Sequence, residues 1–241
     1  MALTDIVTLD ECKSWCKAAD LTADQTRNME LIRKSSERLA KAFVGSSIVQ
    51  ATYTHYYPDV SGNRSDVLRM QEFPVRSITS VYEDPNGYYG SVAGSFSASQ
   101  QLTAGNQYFL PLDAGGLSFF GHLKRRGFTS VWGNGSACWP TEPGSVKVTY
   151  VAGWSIDELN GEVADANLDA SDIRVAILKA VGAFWQNLIN QQLALKPGDD
   201  VSESLDGYSH TMVEKPSDPL VTDDLPPESK SMLKRFRRMQ M

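Results

Sequence analysis

Residues 146–195 carry the pattern that most constrains the fold. The alternating run Val146-Lys147-Val148-Thr149-Tyr150-Val151 predicts a strand with one apolar face, ending in a turn at Ala152-Gly153-Trp154. After an acidic connector, apolar residues recur at steps of three and four: Ile173, Ala176, Ile177, Ala180, Val181, Phe184, Trp185 and Leu188. This spacing predicts one amphipathic helix from about Ser171 to Ala194, its stripe turned to a core, with Pro197-Gly198 as the stop.

The chain before this stretch changes grammar once. Thr8-Leu9-Asp10-Glu11 is a capping box, and Thr22-Ala23-Asp24-Gln25 repeats the signal. Each predicts a helix start, the first with an inner face of Leu9, Cys12, Cys16 and Ala19. The second runs through Met29, Ile32, Ser36, Leu39 and Phe43 to a stop at Gly45. Two helices so closely joined form a hairpin, expected to lie against the 171–194 helix. From Ser47 the residues favour strands: Ile48–Tyr57, Val67–Met70 and Pro74–Tyr82. Residues 85–144 are dense in Gly, Ser and aromatics, with turn signals at Pro85-Asn86-Gly87 and Gly133-Asn134-Gly135, and read as short strands and hairpins. Helices, then strands, then a closing helix make an α+β chain rather than an alternating one.

Beyond Pro197 the periodicity disappears. Residues 196–224 hold Asp199, Asp200, Glu203, Asp206, Glu214, Asp218, Asp223 and Asp224 against Lys196 and Lys215, the composition of an extended arm. The sign then reverses at Lys230, Lys234, Arg235, Arg237 and Arg238, with Met232, Leu233, Phe236 and Met239 interleaved. A solvated end, a nucleic-acid contact and a docking peptide are the three readings of that tail. The apolar residues favour a short amphipathic helix or hook that docks in a groove.

With 241 residues, 41% of them apolar, the chain can bury one good core with room for a second lobe. A formal net charge of −6 argues against a surface given over wholly to nucleic acid. The three cysteines, and a start without a signal peptide's basic and apolar regions, predict a protein made in a reducing cytoplasm. No apolar run reaches the roughly 18 residues of a membrane span.

Catalytic chemistry has little to stand on. Cys12 and Cys16 share a helix face, but His55, His122, His210 and Cys138 are scattered and complete no metal-ligand spacing, so core packing is the expected role. There is no nucleophile elbow, and Gly87–Gly94 lacks the Lys-Ser/Thr of a phosphate loop. Asp157, Glu158, Glu162, Asp165 and Asp169 cluster ahead of the long helix with no base among them. They read as helix-start acids or as an acidic surface that repels phosphate. No enzyme activity, metal or cofactor is expected.

Taken in order, these motifs resemble the head-to-tail adaptor (connector) proteins of tailed bacteriophages. The resemblance rests on the Val7-to-Lys13 helix start, the second helix ending at Phe43-Val44-Gly45, and the Phe73-to-Val81 strand. It continues through Val146–Trp154, the Ile173–Trp185 helix, and Leu225-Pro226-Pro227 leading to Leu233-Lys234-Arg235-Phe236-Arg237-Arg238. The chain departs from shorter members in a longer β region and an expanded connector, Ile156–Leu168.

The resemblance implies a virion neck protein without enzymatic activity: a dodecameric ring docked beneath the portal, continuing the DNA channel and offering a platform to the tail or a stopper protein. DNA would pass without sequence-specific binding. The fold expected is a helical hairpin (1–46), an inserted antiparallel β lobe (47–152), an acidic connector with the long core helix (153–195), and an arm ending in a basic tail (196–241). Ile173, Ile177, Val181, Phe184, Trp185 and Leu188 would pack the core. Asp157, Glu158, Glu162, Asp165 and Asp169 would face the channel or the surface. Met232, Leu233, Lys234, Arg235, Phe236, Arg237 and Arg238 would dock on the portal or a neighbouring subunit. A carbohydrate- or receptor-binding β module is the alternative, suggested by the aromatics of 85–140.

Overall fold

A computed structural model of the chain describes residues 5–57, 65–126, 138–194 and 224–237. In chain order its elements are α1 (Leu9–Trp15), α2 (Ala23–Val44), β1 (Ala51–Tyr57), β2 (Val67–Arg69), β3 (Val75–Glu83), β4 (Tyr108–Phe109), β5 (His122–Arg125), β6 (Val146–Ala152), α3 (Ile156–Asn160), α4 (Ser171–Ala194) and α5 (Pro227–Leu233). The fold is α+β. Two compact units divide it: a helical unit of residues up to 44 together with 171–237, and a strand unit of residues 45–170.

In the helical unit both predicted starts are chemically closed. The Glu11 amide donates to the Thr8 hydroxyl at 3.3 Å, and the Glu11 carboxylate accepts from the Thr8 amide at 2.7 Å. Gln25 and Thr22 make the same exchange at 3.2 and 3.0 Å. Gly45 follows α2 at a φ of 77°, a conformation that favours glycine. Ile173, Ala176, Ile177, Ala180 and Val181 of α4 are fully buried, and Phe184, Trp185 and Leu188 nearly so. They meet the apolar face of α2, where Met29, Ile32, Ala40 and Val44 are buried. Each buried Ile or Val side chain contributes roughly 1.5–3 kcal/mol over an exposed one. Gly182 admits Trp15 to the face of α4, since a Cβ there would stand 3.2 Å from the indole nitrogen.

One charged residue is built into this unit. Arg33 is only 2% exposed, yet its donors all have acceptors. Its Nε and one terminal nitrogen reach Glu30 at 2.9 and 2.7 Å, and the other serves the Val7 carbonyl at 3.0 Å, Glu37 at 3.1 Å and Asp5 at 3.1 Å. Glu37 in turn accepts from the Ile6 and Val7 amides. A segment without regular structure ahead of α1 is thus fastened to α2 through satisfied polar groups, the condition for burying a charge at tolerable cost.

The strand unit is organised around β6. It pairs antiparallel with β1 on one side and β3 on the other, in the order β1-β6-β3. Its alternation appears as alternating burial: Val146, Val148, Tyr150 and Ala152 face the core and are fully buried. Thr54 and Thr149, opposite each other in register, share a hydroxyl hydrogen bond of 3.0 Å. Gly153 sits at a φ of 98° where a Cβ would lie 2.7 Å from the Val49 carbonyl oxygen, so the turn after β6 requires glycine. A second sheet, β2-β5-β4, covers the other side of a core that includes Leu68, Met70, Leu123, Tyr108 and Trp139. Among the described residues the expected β lobe thus contains two three-stranded sheets. The described residues between β3 and β6 form little strand because glycines at positive φ, among them Gly90, Gly94, Gly105, Gly115 and Gly121, keep turning the chain.

The connector falls within the strand unit and contains α3, whose start is a third capping box formed by Ser155 and Glu158. Its end is Gly161 in the left-handed region.

Candidate functional site

The C-terminal hook is the most defined candidate surface of the helical unit. Pro226 and Pro227 set the start of α5, where a proline lacks an amide that would otherwise go unpaired. Leu225, Ser229 and Leu233 recur every four residues and are all buried. The Ser229 hydroxyl donates to the Ala176 carbonyl of α4 at 2.8 Å. Charged pairs rim this seat: Lys179 with Glu228 at 3.0 Å, Arg235 with Asp172 at 3.1 Å, and Lys230 with Asp224. The guanidinium of Arg237 stands 5.2 Å from the centre of the Phe43 ring, and that of Arg235 lies 4.5 Å from the Phe236 ring.

This geometry corrects part of the sequence expectation for the tail. Leu233 is fully buried in the chain's own helical unit and is no free anchor for a partner. Met232 and Phe236 are half-buried, whereas Lys234, Arg235 and Arg237 are exposed. The hook presents its basic edge outward because its apolar side is already covered by α4 and α2. Arg238 lies outside the described residues, as does the acidic arm at 196–223.

The five acids of the connector separate in the same way. Asp157 and Glu162 are exposed, and Asp165 and Asp169 are half-buried, with Asp165 accepting from the Asn167 amide at 2.9 Å. Glu158 is neither a surface nor a channel acid. It is 3% exposed, accepts from the Ser155 amide at 2.8 Å, and pairs with Arg76, which also donates to the Gly153 carbonyl at 2.8 Å. A carboxylate so engaged ties α3 to β3 and has no charge to offer outward.

Sequence reasoning missed a second buried pair in the strand unit. Glu83 on β3 and Arg125 on β5 approach to 2.8 Å, with side chains 4% and 0% exposed. Arg125 also lies 5.1 Å from the centre of the Trp139 ring. The pair meets without directed hydrogen bonds: the Arg125 Nε and one terminal nitrogen, and one Glu83 oxygen, have no hydrogen-bond partner. Burial accordingly pushes the Glu83 carboxyl up and the Arg125 guanidinium down, each shift partly offset by the other charge. Its partners are some forty residues apart on different sheets, and no local pattern announces it.

Among the described residues, no group of three or more His, Cys, Asp or Glu is placed to hold a metal ion, and no helix is long and apolar enough to cross a membrane. Cys12 is buried, and that burial raises its thiol to about 12, so it stays protonated and inert. The aromatics of the β region divide. Phe96, Tyr108 and Trp139 are buried, while Tyr88 is 54% and Tyr89 46% exposed. Trp132 lies outside the described residues.

No protein-family model matches the chain, and no curated protein matches it significantly. Solved structures do. A chain from the neck of an empty GTA particle computed with C6 symmetry matches over 100% of this chain and 94% of its own, with a TM-score of 0.55 and 11% identity. A chain from the virion of a native gene transfer agent (GTA) particle matches over 100% and 97%, with a TM-score of 0.51 and 12% identity. At such identities the likeness is one of fold alone.

Proposed function

We propose that this chain is a structural neck protein of a phage-like particle, a ring-forming adaptor between portal and tail. The observation that carries the reading is the full-length fold likeness to a chain from the neck of a GTA particle. The order of the motifs, which resembles that of head-to-tail adaptors, is a second line of support. As an adaptor the chain would form a dodecameric ring, each subunit using two different faces in a contact that closes by rotation. The ring would extend the DNA channel and hold the tail or stopper protein. The exposed basic edge of the hook, Lys234 and Arg237, would meet the portal or the next subunit, and the exposed acids Asp157 and Glu162 would keep phosphate from being gripped.

The test is light scattering on a sizing column, with the chain alone and then mixed with the portal ring of its particle. Co-elution at near one-to-one stoichiometry is the expected result. A chain that ignores the portal and stays monomeric would refute the adaptor role. Charge reversal at Lys234 and Arg237 should abolish co-elution without unfolding the subunit.

A carbohydrate-binding module is the second reading, favoured by the exposed neighbours Tyr88 and Tyr89, both held at positive φ. Glycan binding that disappears in Tyr88→Ala/Tyr89→Ala would select it.

A further inference from the structure

The side of α2 turned away from its core carries a line of its own. Arg27, Leu31, Lys34, Arg38 and Lys41 are all exposed and recur at alternating steps of four and three. On a helix that spacing confines them to an arc of about 80° and spreads them along about 21 Å of axis. Four of the five are cations, and Leu31, 47% exposed, is the apolar residue among them. Among the described residues, the carboxylate that reaches the line is Glu30, 3.1 Å from Lys34, and Glu30 is shared with Arg33. Like charges three and four residues apart repel, so the line is a cost to α2 until an anion covers it.

The connector presents the opposite surface. Between Ser155 and Ala170 the sequence holds five acids and no lysine or arginine. Glu158 is engaged with Arg76 and the Ser155 amide, but Asp157 and Glu162 are exposed. Gly161, at a φ of 73°, turns the chain so that the Glu162 amide donates to the Asp157 carbonyl at 2.8 Å. The two acids therefore stand on one closed turn, and Ile156 beside them is 40% exposed.

The two surfaces match twice over, with cations around an apolar residue on α2 and acids beside an apolar residue on α3. A phosphate backbone would answer the cations but offers nothing apolar to Leu31, whereas a protein surface supplies both. Leu31 and Ile156 are both exposed in the single chain, so the match is open to a second copy. Two different faces of one subunit that fit each other make a heterologous contact, the kind that closes into a ring.

We propose that the line Arg27-Leu31-Lys34-Arg38-Lys41 of one subunit seats the connector surface Ile156-Asp157-Glu162 of a second copy. Ile156 covers Leu31, and the two acids reach the cations on either side. The inference rests on the ring-forming reading above and names the two faces of its contact. It also gives the connector acids a direct way to keep phosphate from being gripped, since they occupy the cations that would grip it.

The test is zero-length carbodiimide cross-linking of an equal mixture of 15N-labelled and unlabelled full chain at low salt, read by peptide mass spectrometry. It is run on the free chain at high concentration and on the chain mixed with the portal ring. Links from Lys34 or Lys41 to Asp157 or Glu162 are the expected result, about half of them joining peptides of different label, as randomly placed copies require. The Lys179–Glu228 pair, 3.0 Å apart within one chain, is the control and should carry a single label. The α2 links should fall steeply at about 0.5 M salt, where the screening length is a few ångströms. In Arg27→Glu/Arg38→Glu they should fall more than about tenfold, since like charges then meet. Adding Asp157→Lys/Glu162→Lys, whose α2 is native, should restore them as links purely between the two variants, which a misfolded first variant could not give.

Control links without α2-to-connector links, or α2-to-connector links of single label only, would overturn the proposal. If either result comes from chain that co-elutes with the portal, the neck reading stands and only this contact falls. Mixed-label links in a chain that ignores the portal would do the reverse. Duplex DNA is the competing occupant: binding that Arg27→Glu/Arg38→Glu abolishes, in a chain without mixed-label links, would give the line to nucleic acid and overturn the proposal.

Discussion

The helical and strand units bury charge in opposite ways. In the helical unit Arg33 draws on Glu30 and Glu37, three and four residues away on its own helix, and every donor is satisfied. In the strand unit Arg125 and Glu83 come from different sheets, and polar atoms on both remain without hydrogen-bond partners. The first arrangement is local, redundant and partly wet. The second is non-local, dry and dependent on a single opposite charge. Removing one partner should therefore be survivable in the first unit and severe in the second.

The largest expected effect tests the dry pair. Arg125→Ala leaves Glu83 buried without a counter-charge and should cost about 3–5 kcal/mol in denaturant unfolding. Replacing both residues by apolar ones, Glu83→Leu/Arg125→Met, should recover most of that loss. A double variant as unstable as the single one would show that the pair is held by hydrogen bonds the geometry lacks.

Next comes the hook. Leu233→Ala empties a fully buried site and should cost about 2–4 kcal/mol if α5 unfolds together with the helical unit. A much smaller loss, with proteolysis speeded only near residues 225–237, would mean the hook opens by itself. Caps should matter less. Thr8→Ala and Ser155→Ala, one in each unit, should each cost about 1 kcal/mol, because each removes one side-chain acceptor from a helix start.

The smallest effect separates the charges around Arg33. Its guanidinium holds the Glu30 carboxyl down at about 2, against a usual 4.5. A depressed carboxyl stabilises the fold above the usual value and loses that contribution as pH falls from 4.5 towards 2. Glu30→Gln should therefore flatten the fall in melting temperature between about pH 5 and 2. Glu37 is shifted up by burial, so its contribution is present at low pH and is lost as pH rises through its folded value. Glu37→Gln should accordingly steepen the acid limb, and equal slopes in the two variants would dissolve the contrast.

The same division governs how much of the molecule could be read beforehand. Both capping boxes, the Gly45 stop and the span of α4 follow from residues within one turn of each other, and Ser171 to Ala194 is the helix observed. The strand β6 was legible because alternation is also local, but its neighbours were not. It pairs with Thr54 and Val81, some ninety-five and sixty-seven residues upstream, which no short window contains. Tail and connector were seen as charged segments, but composition does not say which way a side chain points. It could not tell that Leu233 and Glu158 would be buried at home, nor that Lys234 and Arg237 would stay outside.

What the sequence determined by itself is therefore the set of elements whose signals repeat every two, three or four residues: α1, α2 and α4, the caps that start the first two, the central strand and the α+β order. Tertiary structure alone decided the pairing of β6 between β1 and β3, the separation into two sheets, the burial of Glu158 and of Glu83 with Arg125, and the folding back of the hook. The physical reason is one of range. Backbone hydrogen bonds in a helix join neighbours, so their rules are written along the chain. Ladders, buried ion pairs and docked segments join distant residues, and these are chosen by the shape and dielectric of a core that exists only once the chain has closed upon it.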